Sequence, residues 1–597
     1  MMKYRFDHPE DGAVFVPQEK LYMPQEEENA VCHVKTTGKD FSDGAGRQPE
    51  YGFLTEANRQ MARRLTIPEL NSGFDAVYWG QGQKLTRLTA DGSGVSVDYK
   101  GEGEIPLTFA ADVPSEGNYL VRVTLYSRRP GTEALLFLGR RRLAWRGQLK
   151  EAGEHRLGGF VTNICPIIPR TYEEPMEDLT LDVTVVGRGV SLVSVEIEPQ
   201  SGRTLYIAGD STVTDQSADY PYLPCRSYCG WGQMLSAFVG TQFAVSNHAH
   251  SGLTTESFRE EGHYAILYER LRAGDLCLIQ FGHNDQKLMH LMAEDGYRRN
   301  LIRYIEEIRG KGAVPVLVTP LARNSWRGDD GGYNDLLAPY EDACIRLAEE
   351  YDVPLLDLHK KSMEFVMECG RERAMRYFFP GDYTHSNDYG AYRYAGYVYD
   401  ELVRVGLVQA EAAGDEALHG NVNAAEDAAT HGNVNAAGDY GMWEPPEVLP
   451  QLTVPEEFEG IENPADEHLF EGLERPEEML TRVEALELVI EAMHFFPTNV
   501  YNDMFEDVIG HERYAGAVEC AWQNGLIPEK MVENHCFFPQ RNVTGAEFYQ
   551  IVKNGYKSRR TWTDACEQKL MKIAGSGEPL TRGEAAQICK SIVKEEG

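Results

Sequence analysis

The chain is short of three things: long apolar runs, basic residues and paired cysteines. None of its apolar stretches approaches the roughly eighteen consecutive residues that cross a bilayer. The opening Met1-Met2-Lys3-Tyr4-Arg5-Phe6-Asp7-His8-Pro9-Glu10 lacks the apolar stretch of an export signal. The expectation is therefore a cytoplasmic protein, or a secreted one if a signal is missing from the sequence. Lys and Arg total 58 against 93 Asp and Glu, for a net charge of −35. That balance argues against nucleic acid as a partner, because phosphate binding needs a basic surface. The eleven cysteines are odd in number and scattered over 597 residues, unlike a disulfide scaffold. Only Cys225 and Cys229 lie close together. No second Cys or His pair stands near them at ligand spacing, so a structural role is expected and no metal is assigned.

A length of 597 residues exceeds what one core can organise, so several domains are expected. Residues 1–200 carry short alternating runs such as Tyr119 to Tyr126, Leu179 to Val186 and Val190 to Ile197, separated by turn-forming residues. This spacing predicts a β-sandwich. No calcium loop or aromatic platform stands out there, so a packing module that helps shape a cleft is favoured over a sugar-binding one. Residues 203–408 alternate apolar strands with amphipathic stretches. The strands are Thr204 to Ala208, Gln242 to Ser246, Asp275 to Phe281, Ala313 to Thr319 and Val353 to Leu358. The helical stretches are Gly232 to Val239, Ser257 to Arg272, Tyr297 to Arg309, Asn334 to Tyr351 and Tyr389 to Val405. Near-continuous apolar strands mean a parallel sheet covered on both faces, here a five-stranded α/β/α flavodoxin-like domain.

Residues 409–475 read as an acidic, low-complexity linker. From Gly406 to Leu480 there are eighteen acidic residues and one basic one, Arg475. The run His419-Gly420-Asn421-Val422-Asn423-Ala424-Ala425 recurs from His431 to Ala437, and a tract this polar cannot bury a core. Residues 476–597 are helical and weakly repetitive. Thr481-Arg482-Val483-Glu484 is echoed by Thr581-Arg582-Gly583-Glu584 and, with variation, by Thr544-Gly545-Ala546-Glu547. A Thr three residues ahead of a Glu is a capping box that opens a helix.

The residues that carry chemistry sit at strand ends. Ser211, in Gly209-Asp210-Ser211-Thr212, follows the first strand of the parallel sheet, and Asn284, in Gly282-His283-Asn284-Asp285, follows the third. In a 2-1-3-4-5 strand order these are neighbours at the switch point, where open sheets bind ligands. A serine hydroxyl needs a base to attack a carbonyl, and His385 is the candidate. Asp382, three residues earlier in Asp382-Tyr383-Thr384-His385, is placed to hold the imidazole tautomer. The oxyanion formed on attack is assigned three donors: the backbone N–H groups of Ser211 and Gly252, and the side-chain amide of Asn284. Helix capping by Asp210 or Ser211, and a loop-closing bond between Asp382 and His385, are the plain structural alternatives. The joint occurrence at the right strand ends favours catalysis.

These four blocks resemble those of the SGNH (GDSL-type) hydrolases, and more closely the rhamnogalacturonan acetylesterases. Gly209-Asp210-Ser211-Thr212 continues as Val213-Thr214-Asp215-Gln216, and Trp231-Gly232-Gln233 precedes the second strand. The likeness covers about 200 residues. The N-terminal region is similar to the accessory, galactose-binding-like domain of two-domain bacterial members. The C-terminal region resembles S-layer homology repeats, which hold enzymes to cell-wall polymers. In the second block Gly252 is followed by Leu253-Thr254-Thr255 where the family often has Arg-Ser, and the Gly-x-Ser-x-Gly elbow of α/β-hydrolases is absent.

The resemblance implies an esterase that removes O-acetyl groups from pectic rhamnogalacturonan or its oligosaccharides through an acetyl-enzyme, with no metal or organic cofactor. Such a substrate is polyanionic. Lys287, Arg323 and Arg327, in loops after the third and fourth strands, are candidate carboxylate contacts, with ordinary solvated surface charge as the plain alternative, and Tyr383 is a candidate to line the cleft. The alternatives are another acetylated glycan or small ester (xylan, an oligosaccharide, a lipid) or a non-catalytic cell-wall glycan-binding protein.

Overall fold

The structure is a computed structural model that describes residues 1–20, 50–54, 88–97, 103–170, 173–177, 179–218, 221–327, 331–380, 382–410, 443–447, 475–493, 495, 505–508, 514–559 and 564–593. Most of the acidic tract, with both copies of its repeat and His419 and His431, lies outside the described residues.

The N-terminal part contains two main antiparallel sheets. One runs in the order Gly153–Ile164, Gly117–Ser127, Val190–Pro199, Met2–Arg5 and Val14–Phe15, with Gly94–Val97 paired to Val190–Pro199 and Leu88–Asp91 to Gly94–Val97. Among its described strands only the short Met2–Arg5 and Val14–Phe15 pair is parallel. The other runs Tyr51–Leu54, Leu107–Asp112, Thr180–Val186, Thr132–Leu138, Arg142–Leu149. Alternation decides the inner face. In Gly117–Ser127, Tyr119, Val121, Val123 and Leu125 are buried while their neighbours are partly exposed. They join Phe109, Leu136, Leu181 and Val183 of the second sheet in one apolar cluster.

The central part is a parallel sheet of β1 (Thr204–Gly209), β2 (Ala244–Asn247), β3 (Leu276–Gln280), β4 (Val314–Val318) and β5 (Leu355–Leu356). The order is β2-β1-β3-β4-β5, the expected one. Alternate strand residues feed opposite faces. Leu205, Ile207, Leu278, Val316 and Val318 pack with α1 (Trp231–Met234), α2 (Ser236–Val239), α7 (Leu358–Cys369) and α8 (Asp388–Arg404). Tyr206, Ala208, Cys277, Ile279 and Leu317 pack with α4 (His263–Arg270), α5 (Arg298–Gly310) and α6 (Ala338–Tyr351).

The stretch expected as one helix from Ser257 to Arg272 is two, α3 (Ser257–Glu260) and α4, because Gly262 turns the chain at φ +85. The stretch from Gly232 to Val239 is likewise split, at Leu235, into α1 and α2. Helix α7 was not expected. It starts directly after β5, where Asp357 caps it by accepting from the N–H of Lys360.

The C-terminal part is helical. Thr481, Thr544 and Thr581 each exchange hydrogen bonds with the Glu three residues on. The segments just ahead of these helices close on one another. Leu480 N–H donates to Leu580 C=O (2.8 Å), Leu580 N–H to Val543 C=O (3.3 Å) and Val543 N–H to Leu480 C=O (2.9 Å). This ring relates the three helix starts by an approximate threefold and leaves a shared apolar core beneath.

Candidate active site

The β1 end supplies Ser211 on a turn that its neighbours hold rigidly. Asp210 is fully buried and accepts from Thr212 N–H (3.0 Å) and Thr212 Oγ1 (2.8 Å), while its Oδ2 lies 3.2 Å from His283 Nδ1. Burial pushes the Asp210 carboxyl up, but the His283 charge and these donors hold it below its ordinary value. His283 reaches Leu321 C=O with Nε2 at 2.8 Å, joining the β1, β3 and β4 ends. Thr212 Oγ1 also accepts from Gln280 Nε2 (2.7 Å), and Gln280 Oε1 from Trp231 Nε1 (2.8 Å).

The loop before α8 supplies the other half. Phe379 N–H donates to His385 C=O and Asp382 N–H to Phe379 C=O, each at 2.9 Å, closing the turn. Asp382 Oδ1 accepts from Thr384 N–H (2.8 Å) and His385 N–H (2.9 Å), which leaves Oδ2 for the ring: His385 Nδ1 is 2.7 Å from it. His385 Nε2 lies 2.7 Å from Ser211 Oγ. Burial raises Asp382, and the bond and charge of His385 more than offset it, so the carboxyl stays ionised. Nδ1–H toward a carboxylate leaves the Nε2 lone pair for the serine proton.

Gly252 and Asn284 are stitched to this centre. Gly252 sits at φ +82, which other residues rarely adopt, and a side chain there meets nothing within 4 Å. Its requirement is therefore conformational, not steric. Gln216 Nε2 bridges Ser211 C=O (3.3 Å) and Ser251 Oγ (3.2 Å), tying the two loops. Asn284 Nδ2 donates to Leu253 C=O (3.0 Å), and Lys287 Nζ donates to Asn284 Oδ1 (2.9 Å). One amide hydrogen is thus spent and one remains. The backbone N–H groups of Ser211 and Gly252 donate to no group among the described residues. The residues after Gly252 act structurally. Leu253 is buried, and Thr255 gives both N–H (2.9 Å) and Oγ1 (2.6 Å) to Asp285, whose carboxyl burial pushes up to about 7.

The expected substrate contacts separate into groups. Lys287 is half-buried beside Asn284, and burial brings its ammonium down to about 8. Arg323 donates to His283 C=O (3.2 Å) and keeps a buried Nε with no partner among the described residues. Tyr383 C=O accepts from Asn324 N–H (2.9 Å), docking the His385 loop on the β4 end. Arg327 is exposed, and its backbone bonds to Gly331 and Gly332 within its own turn. Sequence reasoning missed Tyr228 and Phe379, whose rings stack at 3.6 Å and 9°, with Tyr228 edge-on to His385 at 5.9 Å. Neither lies in a recognisable block, so only proximity reveals them. Cys225 and Cys229 are buried free thiols, and Cys229 Sγ bonds to Gln233 Oε1 (3.1 Å).

A doubly covered parallel sheet with a serine, an imidazole and a carboxylate in line at its carboxyl rim defines the class: an α/β/α domain laid out for serine chemistry. Residues 207–393 match the GDSL-like lipase/acylhydrolase family. Rhamnogalacturonan acetylesterase RhgT of Bacillus subtilis is 34% identical over 216 residues, 34% of this chain and 90% of that protein. The chain belongs to the GDSL-like lipase/acylhydrolase family. The uncharacterized esterase YxiM of the same organism is 30% identical over 247 residues, 40% of this chain, and the match spans 64% of that esterase. The solved structure of YxiM covers 68% of this chain and 99% of its own, at 23% identity and a TM-score of 0.34. No helix among the described residues is long and apolar enough to cross a membrane.

Proposed function

We propose that this chain is a serine carbohydrate esterase that removes O-acetyl groups from pectic rhamnogalacturonan or its oligosaccharides through an acetyl-enzyme. The observation that carries the reading is the unbroken chain Ser211 Oγ to His385 Nε2 to His385 Nδ1 to Asp382 Oδ2, each contact 2.7 Å. The pectic substrate is supported by the likeness to the rhamnogalacturonan acetylesterase RhgT and by Lys287 and Arg323 beside the Asn284 segment.

Ser211 Oγ bonds to the acetyl carbonyl carbon as its proton passes to His385 Nε2. Asp382 steadies the imidazolium. The oxyanion is met by the Ser211 and Gly252 N–H groups and the free hydrogen of the Asn284 amide, each such donor typically worth about a hundred- to a thousandfold in rate. The C–O bond to the sugar breaks and the sugar oxygen takes the proton from His385. Water then gives a proton to the same nitrogen and its oxygen to the acetyl carbon, the bond from that carbon to Ser211 Oγ breaks, and His385 returns the proton to Oγ as acetate leaves. The residues present complete this cycle without a metal or cofactor.

In this reading residues 1–200 are a β-sandwich accessory domain, residues 203–408 the catalytic domain and residues 476–597 S-layer-homology-like repeats that take a cell-wall polymer. The threefold ring at Leu480, Val543 and Leu580 supports the repeat reading. The test is acetate release from acetylated rhamnogalacturonan, acetylated xylan and p-nitrophenyl acetate, with Ser211→Ala alongside. Release from the pectic glycan, lost in the variant, is expected. Faster release from xylan overturns the substrate, and an active Ser211→Ala overturns the chemistry. Binding to cell walls with no acetate release from any substrate favours the glycan-binding alternative.

A further inference from the structure

Three consecutive arginines, Arg140, Arg141 and Arg142, form the turn and first strand residue of the N-terminal hairpin Thr132–Leu138/Arg142–Leu149. Arginines at a hairpin tip ordinarily point to solvent. Here Arg141 is 0% exposed. Its backbone is left-handed, φ +53, a conformation a non-glycine residue holds only when its surroundings compel it. What compels it lies across the domain junction. Nη1 donates to both oxygens of Asp388 (3.0 and 2.8 Å), Nε to Gln216 C=O (3.0 Å), and Nη2 to Tyr228 C=O (2.5 Å) and Gln233 Oε1 (3.2 Å).

Each of those partners leads to the reacting centre. Gln216 holds the Ser211 carbonyl. Tyr228 sets its ring edge against His385, and the next residue, Cys229, exchanges bonds with Ser386. Asp388 stands three residues beyond His385 in the first turn of α8, and its Oδ2 also accepts from Tyr222 Oη at 2.5 Å. One guanidinium therefore fixes the nucleophile's loop, the wall beside the base and the start of the helix that follows the base's loop. Charge and fork both matter. Loss of the charge on either partner leaves the other buried and unpaired, and a lysine ammonium has three hydrogens for the five oxygens that the guanidinium meets.

We propose that Arg141 is a positioning residue for the Ser211–His385 pair, so that the N-terminal domain completes the catalytic site rather than accompanying it. The inference rests on the esterase reading of that pair. Arg141 touches no substrate. It acts by holding two loops in register, and displacement of a reacting group by about 1 Å costs roughly a hundredfold in rate.

The test compares Arg141→Lys and Asp388→Asn with the wild type in the full chain. Labelling of Ser211 by a fluorophosphonate is followed with time, and kcat and KM for p-nitrophenyl acetate are measured, each normalised to folded protein by near-ultraviolet circular dichroism. The expected result is kcat and labelling rate down roughly a hundredfold with KM within about threefold. A part that is only structural lowers the yield of folded protein and Tm but leaves the labelling rate per folded molecule unchanged. That outcome overturns the proposal. Asp388→Asn keeps the shape of the carboxylate, so it decides the matter alone if Arg141→Lys does not fold. A wild type that is not labelled at Ser211 overturns the esterase reading instead, which separates the two failures.

Discussion

Lys287 Nζ donates to Asn284 Oδ1 at 2.9 Å, and the same amide gives a hydrogen to Leu253 C=O at 3.0 Å. Pinned at both ends, the amide has one orientation, and its second hydrogen has one direction. Asn284→Ala removes that donor. The expected loss in kcat is about a hundred- to a thousandfold, with KM little changed, measured on p-nitrophenyl acetate. Loss of less than about fivefold removes Asn284 from the oxyanion site.

Lys287 carries a cost that pH exposes. Its folded-state value, about 8, lies below the 10.5 of the free group because burial disfavours the ammonium. Between those values the unfolded chain binds the extra proton, so wild-type stability rises with pH there. Lys287→Met is therefore expected to raise Tm at pH 7, with the gain shrinking as pH climbs through about 8 toward 10, while activity on the proposed pectic substrate falls. Thermal unfolding of both proteins across pH 6 to 10, read by circular dichroism, checks the sign. A pH-independent difference refutes it.

Asp382 spends Oδ1 on two backbone N–H groups and Oδ2 on the imidazole. Asp382→Asn offers an amide where the tautomer needs an acceptor. By analogy with serine proteases, kcat is expected to fall about ten-thousandfold with the fold intact. A fluorophosphonate labelling rate close to wild type contradicts this.

The parallel sheet was readable because buried parallel strands are continuous apolar runs, and Leu276–Gln280 and Val314–Val318 are such runs. The flavodoxin-like strand order assumed for such a sheet then brings Ser211 and Asn284 to one rim, and it is the order observed. Helix α7 was not readable because only Asp357 separates it from β5, and a single acidic residue is a weak boundary. The hairpin arginines were not readable either. The partner that buries Arg141 is Asp388, 247 residues away, and no local pattern announces a tertiary ion pair. Arg327 shows the reverse: a loop cation near the β4 end that the structure leaves exposed.

His359, almost wholly buried in α7, donates from Nδ1 to Pro320 C=O (2.9 Å) and sets Nε2 against Asp335 Oδ1 (3.1 Å), with Glu341 Oε2 at 3.8 Å. Both ring nitrogens face acceptors, so the ring is stable as imidazolium. Burial lowers its pKa, but the bond to Asp335 and the charges of Asp335 and Glu341 raise it further, leaving it above the free value of 6.5. A raised value means stability that is full below about 6.5 and lost as pH rises through the folded value. His359→Gln is expected to destabilise most near pH 6 and progressively less above pH 7. Urea unfolding of both proteins at pH 6 and pH 9 measures this, and an equal difference at the two pH values rejects the charged pair.

Gly390 lies in the first turn of α8, five residues after His385, where an added Cβ would sit 2.0 Å from Tyr377 C=O and 3.0 Å from Ser386 Cβ. Alanine ordinarily favours a helix over glycine by about 1 kcal/mol. Here the backbone carbonyl cannot yield without moving the Phe378 and Asn387 contacts that hold the His385 loop, where Asn387 Nδ2 donates to Phe378 C=O at 2.9 Å. Overpacking of this kind costs about 1–3 kcal/mol, enough to reverse the propensity gain. Gly390→Ala is thus expected to lower both stability and kcat, whereas Gly310→Ala, at the end of α5 with nothing within 4 Å, leaves both near wild type. If Gly390→Ala is as stable and as active as Gly310→Ala, the close approach of α8 to Tyr377 does not set the position of the base.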